Sequence, residues 1–214
     1  MDLDKAIKTR RSIRKYSSQP VEKEKILSVI EAGRWAPTAC NEQDYHFIIL
    51  QEEQTLQAIS AMGAASFLKK VQNAVLVTYK NSGSNTEYKD TYQSGSACVQ
   101  NMLLKAHDLG LGACWVCNLP SQARLRRLLD IPSSYTIIAL VTLGYTSGAA
   151  REVKRRQTMD ECVSYERFTR QKDKDYNIPF GLRLKRVLRW IYFRLPNWKF
   201  IMRLANKLEK KFSN

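Results

Sequence analysis

"TYQSGSACVQNMLLKAHDLGLGACWV", residues 91–116, carries much of the fold decision in one stretch. Over 91–109 the charged residues are Lys105 and Asp108, and the others are mostly apolar or small. A helix of that kind is buried nearly all round. The glycine-rich "GLG" stops it, and "ACWV" reads as a strand. A buried helix that runs straight into a strand calls for packed layers, so the chain reads as an α/β or α+β fold. In a protein of this size, one way to cover such a helix is a second subunit.

The flanking segments agree. "LDKAIKTR" reads as a short first helix. Pro20-Val21-Glu22 opens a second, whose buried stripe is Ile26, Val29, Ile30 and Gly33. "APTACNEQ" ends it. "HFIIL" (46–50) has strand composition, 53–72 looks helical, and "NAVLVTYK" is a second strand. "NSGSNTEYKD" is a loop. "SQARLRRLLDI" is a surface helix with Ser121 as its N-cap. "TIIALVTLG" (136–144) is a long apolar strand that belongs in the middle of a sheet.

Composition narrows the partners. The chain has 214 residues and a net charge of +15, which suggests polyanions: phosphate cofactors, nucleic acid or anionic membrane. The start, "MDLDKAIKTR", is not a secretory signal, and no run reaches the ~18–20 apolar residues of a membrane span. Five cysteines, an odd number, suggest reduced thiols and a cytoplasmic protein. His46 and His107 are the only histidines and lie in no metal-ligand pattern, so no metal is expected.

"RRSIRKYS" (11–18), with Arg10 just ahead, crowds three like charges. Arginine presents a planar fork of donors that suits phosphate. Three arginines on a short solvated face would read the same way.

Taken together, "RRSIRKY", "PVEKEKILSVIEAGRWAPTACNEQ", "QNMLLKAHDLGLGACWV", "LVTLGY" and "KRRQTMDECVSYERF" occur in an order that resembles the FMN-dependent nitroreductase family. The resemblance spans about residues 3–168. It implies an α+β fold with a central mixed, mainly antiparallel sheet flanked by helices, built as an intertwined homodimer. It also implies bound FMN, NAD(P)H as co-substrate, and reduction of a nitroaromatic, quinone or enone type of acceptor by a ping-pong mechanism.

The resemblance further assigns residues. Arg10, Arg11 and Ser12 would meet the phosphate and ribityl groups, and Arg14 the pyrimidine edge of the isoalloxazine. A cation there would raise the reduction potential. Lys154 and Arg156 would return to the same phosphate, with Arg155 facing away. Pro37, Thr38, Asn41 and Gln43 would reach the flavin of the partner subunit. Thr38 stands where the family usually has serine, and Asp44-Tyr45 where it has proline-tryptophan. Backbone groups of Val116 and Cys117 would face the redox-active nitrogen. Cys114-x-x-Cys117 has dithiol spacing, but on a strand i and i+3 point to opposite faces. No side chain is expected to act as catalytic acid or base, because the cofactor carries the chemistry. The "GLG" at 110–112 lacks the rest of a dinucleotide fingerprint.

Two segments follow: a flavin-binding domain over 1–177 and a basic extension over 178–214. Residues 179–214 carry ten Lys/Arg and one acid, Glu209. Leu184, Val187, Leu188, Ile191 and Leu195 form one stripe. Trp198, Ile201, Met202, Ala205, Leu208 and Phe212 form another beyond Pro196. Two basic amphipathic helices suit an anionic membrane surface at the cytoplasmic face, or packing on the dimer; nucleic acid fits less well. The rival to an enzyme is a flavin-binding or membrane-associated adaptor on the same fold.

Overall fold

The computed structural model describes residues 1–81, 87–146, 148, 153–168, 180, 181, 183, 184, 186 and 187. The chain divides into a unit over Met1–Ala150 and another over Arg151–Trp198.

Within the first unit the order is α1 (Leu3–Thr9), α2 (Lys23–Arg34), β1 (Tyr45–Leu50), α3 (Glu53–Ala61), β2 (Asn73–Lys80), α4 (Asp90–Asp108), β3 (Gly112–Val116), α5 (Gln122–Leu129) and β4 (Tyr135–Gly144). Short 3-10 turns cover Ala39–Asn41 and Ser66–Lys70. The strands form one antiparallel sheet in the order β1-β2-β4-β3. The mixed character comes from a parallel bridge between Ser12 and Ala113 on β3. The α+β expectation holds, and β4 is an inner strand, as its apolar run implies.

Both sheet faces are covered, and the period of two is visible in the core. Val75 and Val77 of β2 join Ala139, Val141 and Leu143 of β4 under α2 and α4. Ala74 and Leu76 turn the other way, with Leu140, Cys114 and Val116, toward Leu56 and Ile59 of α3 and Leu125 of α5. This is why β2 reads as continuously apolar: seven of its eight residues are buried.

Helix α4 is covered within the chain along one face, and Tyr92, Gln93, Gln100 and Asp108 stay exposed, so it is not buried all round. Eight of its residues are buried within the chain, between α2 and the sheet. Two glycines permit the approach. A Cβ on Gly33 of α2 would stand 2.8 Å from Met102 Cγ, and one on Gly95 of α4 would stand 2.6 Å from Ile138 Cγ1.

Another expectation needs correction. Residues 53–72 are not one helix: α3 stops at Ala61, Gly63 turns at φ 102, and a 3-10 turn follows. Ser121 does hold the N-cap position of α5, yet its side chain makes no capping hydrogen bond. The loop expected over 81–90 lies partly outside the described residues, and so does most of the extension over 178–214. Among the described residues, no helix is long and apolar enough to cross a membrane, and no cluster of three or more His, Cys, Asp or Glu could hold a metal.

Candidate functional site

The arginine segment is not a helix face. After α1 the chain extends and straps across the free edge of β3. Ser12 bridges Ala113, the Ile13 N–H donates to the Ala113 carbonyl at 2.9 Å, Tyr16 bridges Thr146, and the Ser17 N–H donates to the Tyr145 carbonyl at 2.9 Å. The Tyr16 hydroxyl donates back to the Ile13 carbonyl at 2.6 Å and lies 2.7 Å from the Thr142 hydroxyl of β4. Burial raises the Tyr16 pKa, so it stays a neutral clasp. Ser12 and Arg14 are exposed on this strap, while Arg10 and Arg11 are half-buried.

The fold tolerates the crowded cations for an electrostatic reason. Two helices end here. The Thr9 hydroxyl of α1 meets His107 of α4 at 2.8 Å, and the α-amino group of Met1 meets Asp108 at 2.6 Å. Helix C-termini are the negative ends of their dipoles and favour cations. Arg11 uses this directly: its Nη1 donates to the carbonyls of Lys8 and Arg10 at 2.7 and 2.8 Å. Arg11 therefore braces the end of α1, beyond any role toward an anion.

The Pro37–Gln43 loop sits elsewhere. Its backbone is tied to the first half of α4, where the Ala39 N–H donates to Ser94 Oγ at 3.0 Å. Thr38 Oγ1 accepts from the Gln43 N–H at 3.2 Å, and Gln43 Nε2 donates to Asn41 Oδ1 at 2.9 Å. Cys40, Asn41 and Gln43 all have positive φ, at 49°, 55° and 53°. Asparagine tolerates that region, whereas cysteine and glutamine are held there by the surrounding bonds. Pro37, Asn41 and Gln43 are exposed, and Thr38 is half-buried. From Ser94 to His107 is roughly 20 Å along α4 at about 1.5 Å per residue, so this loop and the arginine strap are anchored near opposite ends of one helix.

Val116 ends β3 and Cys117 follows it, about 10 Å along the strand from Ala113 at about 3.3 Å per residue. Cys114 is buried in the core and Cys117 is exposed, and both are free thiols. Burial pushes the Cys114 thiol up, with Arg14 and Arg10 pulling the other way. A redox dithiol needs a low pKa, and this one lacks it. Lys154 and Arg156 are exposed and lie in the unit over Arg151–Trp198.

The structure thus gathers Arg10, Arg11, Ser12 and Arg14 along one edge of β3. It gathers Pro37, Thr38, Asn41 and Gln43 into a second cluster. Reasoning from sequence missed the residues that hold these in place: Tyr16 and Thr142 for the strap, Thr9 and His107 for its start, Ser94 for the loop. Tyr16 stands within the quoted "RRSIRKY" and could have been marked as a pin.

Comparison with known proteins agrees with this fold. The sequence model of the nitroreductase family matches residues 7–83 and 60–145. A protein of Archaeoglobus fulgidus, provisionally named an NADH dehydrogenase/NAD(P)H nitroreductase, is 34% identical over 172 residues, which is 78% of this chain and 97% of that one. The FMN-dependent nitroreductase of Clostridium difficile R20291 superposes with a TM-score of 0.68 at 26% identity, over 78% of this chain and 100% of the other. A Desulfovibrio desulfuricans protein, provisionally named a nitroreductase and crystallised with FMN, superposes at 0.62 with 28% identity, over 77% and 96%. This chain belongs to the nitroreductase family.

Proposed function

We propose that the chain is an FMN-dependent oxidoreductase that takes hydride from NAD(P)H. It delivers that hydride to a small organic acceptor of nitroaromatic, quinone or enone type in a ping-pong sequence. The observation that carries this reading is the strap. The backbone carrying Arg10, Arg11 and Arg14 is pinned along the edge of β3, with the exposed residue Ser12 among them. That donor set fits a phosphate ester joined to a polar chain and an electron-poor ring. The named family members support it: one is FMN-dependent and one was crystallised with FMN.

When bound, FMN supplies the two-electron relay, accepting hydride from the nicotinamide and releasing it to the acceptor. The chain's own residues bind and orient. Arg10, Arg11 and Ser12 hold the phosphate and ribityl groups, joined by Lys154 and Arg156. Arg14 sets a positive field at the pyrimidine edge. Backbone groups of Val116 and Cys117 orient the central ring. Pro37, Thr38, Asn41 and Gln43 serve the flavin of a partner subunit, as the family resemblance implies; the strap and loop are anchored near opposite ends of α4. The flavin-binding domain is taken as 1–177, with 178–214 as a cytoplasmic extension that meets either anionic membrane or the dimer.

The test is direct. Purified protein should be yellow and bleach within seconds of adding NADH or NADPH under argon. A reduced-enzyme screen against nitroaromatics, quinones and enones then names the acceptor. A yellow protein that never bleaches is a flavin-binding module and not an enzyme. For the extension, the full chain should co-sediment with vesicles rich in anionic lipid and release as salt rises; protein that ignores them at low salt removes the membrane role.

A further inference from the structure

His107 is one of two histidines, and the arrangement around it is specific. Thr9 Oγ1 donates its single proton to the Lys5 carbonyl at 2.7 Å. It must therefore accept from His107 Nε2, 2.8 Å away. Nε2 carries the proton in the neutral ring, and Nδ1 remains to take a second. The charged groups facing the ring are Arg10 and Arg11, from the segment after α1, and Asp108 on its own helix. The Asp108 carboxylate is already engaged by the Met1 α-amino group at 2.6 Å and by Lys105 at 3.0 Å. Burial first, and then Arg10 and Arg11, hold His107 below its usual range.

We propose that His107 is a positioning residue that sets affinity for the flavin phosphate: it pins the end of α1 through Thr9, and it joins Arg10 and Arg11 as a third cation once the phosphate is in place. The inference rests on the FMN reading above. An anion on Arg10 and Arg11 offsets their repulsion, the second cause after burial of the imidazole's low pKa, so binding draws a proton onto Nδ1. Linkage requires the converse. Protonated His107 strengthens phosphate binding by the same factor. The sign is fixed: affinity rises as pH falls through the interval between the free and bound titrations of His107. The phosphate itself titrates near pH 6 and weakens binding in the same interval. The effect must therefore be read against a variant that cannot titrate.

The experiment uses the full-length chain, flavin-free and loaded. The two imidazoles are followed by NMR from pH 5 to 8, alone, with FMN, and with riboflavin, which lacks the phosphate. FMN should move the His107 titration upward by about one pH unit, equivalent to about tenfold in affinity. Riboflavin should leave it in place, and His46 should not respond. FMN affinity is measured in parallel for wild type and His107→Gln, whose amide keeps the bond to Thr9 but takes no proton. The wild-type advantage should grow toward about tenfold as pH falls from 8 to 5.5. Bound FMN with an unmoved His107 titration, or a wild-type advantage that is flat with pH, overturns this inference and leaves the FMN reading standing. An equal shift with riboflavin also overturns it. Failure of FMN to bind at any pH overturns both.

Discussion

The arginine strap and the Pro37–Gln43 loop are assigned to the same cofactor, yet they are built in opposite ways. The strap takes its shape from distant parts of the chain: β3 at Ala113, β4 at Thr142 and α4 at His107. The loop takes its shape mostly from itself, through Thr38, Asn41 and Gln43, with three left-handed residues and a tether at Ser94. The difference separates two tasks. The segment to which the charged anchor is assigned is welded to the core. A segment that reaches outward, with Asn41 and Gln43 exposed, carries its order with it.

The comparison can be pressed at three points. Arg10→Ala removes a strap cation without touching its backbone bonds. FMN affinity should fall roughly tenfold to a hundredfold, from a charged hydrogen bond worth ~1.5–3 kcal/mol, while the melting temperature stays near wild type. Unchanged FMN affinity would remove Arg10 from the site.

Gly144→Ala attacks the clasp. A Cβ there would stand 2.7 Å from Tyr16 Cδ1, on a ring held by two hydrogen bonds. The strap should shift or the protein lose about 1–3 kcal/mol, seen as a lower melting temperature together with weaker FMN binding. A variant with wild-type stability and binding would show that the strap is not fixed by Tyr16.

The smallest effect is expected from Tyr16→Phe, which keeps the ring and removes the hydroxyl. The Ile13 carbonyl and Thr142 hydroxyl lose a partner, at about 1 kcal/mol in chemical denaturation. No change at all would make the clasp a matter of ring packing alone.

Much of the fold was legible because it is written locally. The strand at 73–80 agrees with the structure at both ends, and the helix read at 91–109 runs from Asp90 to Asp108. β-Branched runs and low charge state these plainly. The candidate site was legible only in the residues assigned to the cofactor. Tyr16 and Thr142 are 126 positions apart, and Thr9 and His107 are 98 apart. Such contacts leave no periodic trace. The loop hid for another reason: its left-handed turns fall on Cys40 and Gln43, where a reader looks for glycine. The break after α3 rests on Gly63, a glycine inside an otherwise helical run.

The central claim is that one flavin takes its strap from one subunit and its loop from the other. Mixing subunits tests it most directly. Arg10→Ala protein and a Thr38→Ala/Asn41→Ala protein, each weak in FMN binding, are unfolded together and refolded as a mixture. In a two-fold dimer that shares its sites, half of the dimers are mixed and each has one intact site, so about a quarter of the sites should regain tight FMN. Titration should show that tight fraction in the mixture and in neither protein alone. No recovery, from a mixture shown to contain mixed dimers, would mean that each chain builds its site by itself.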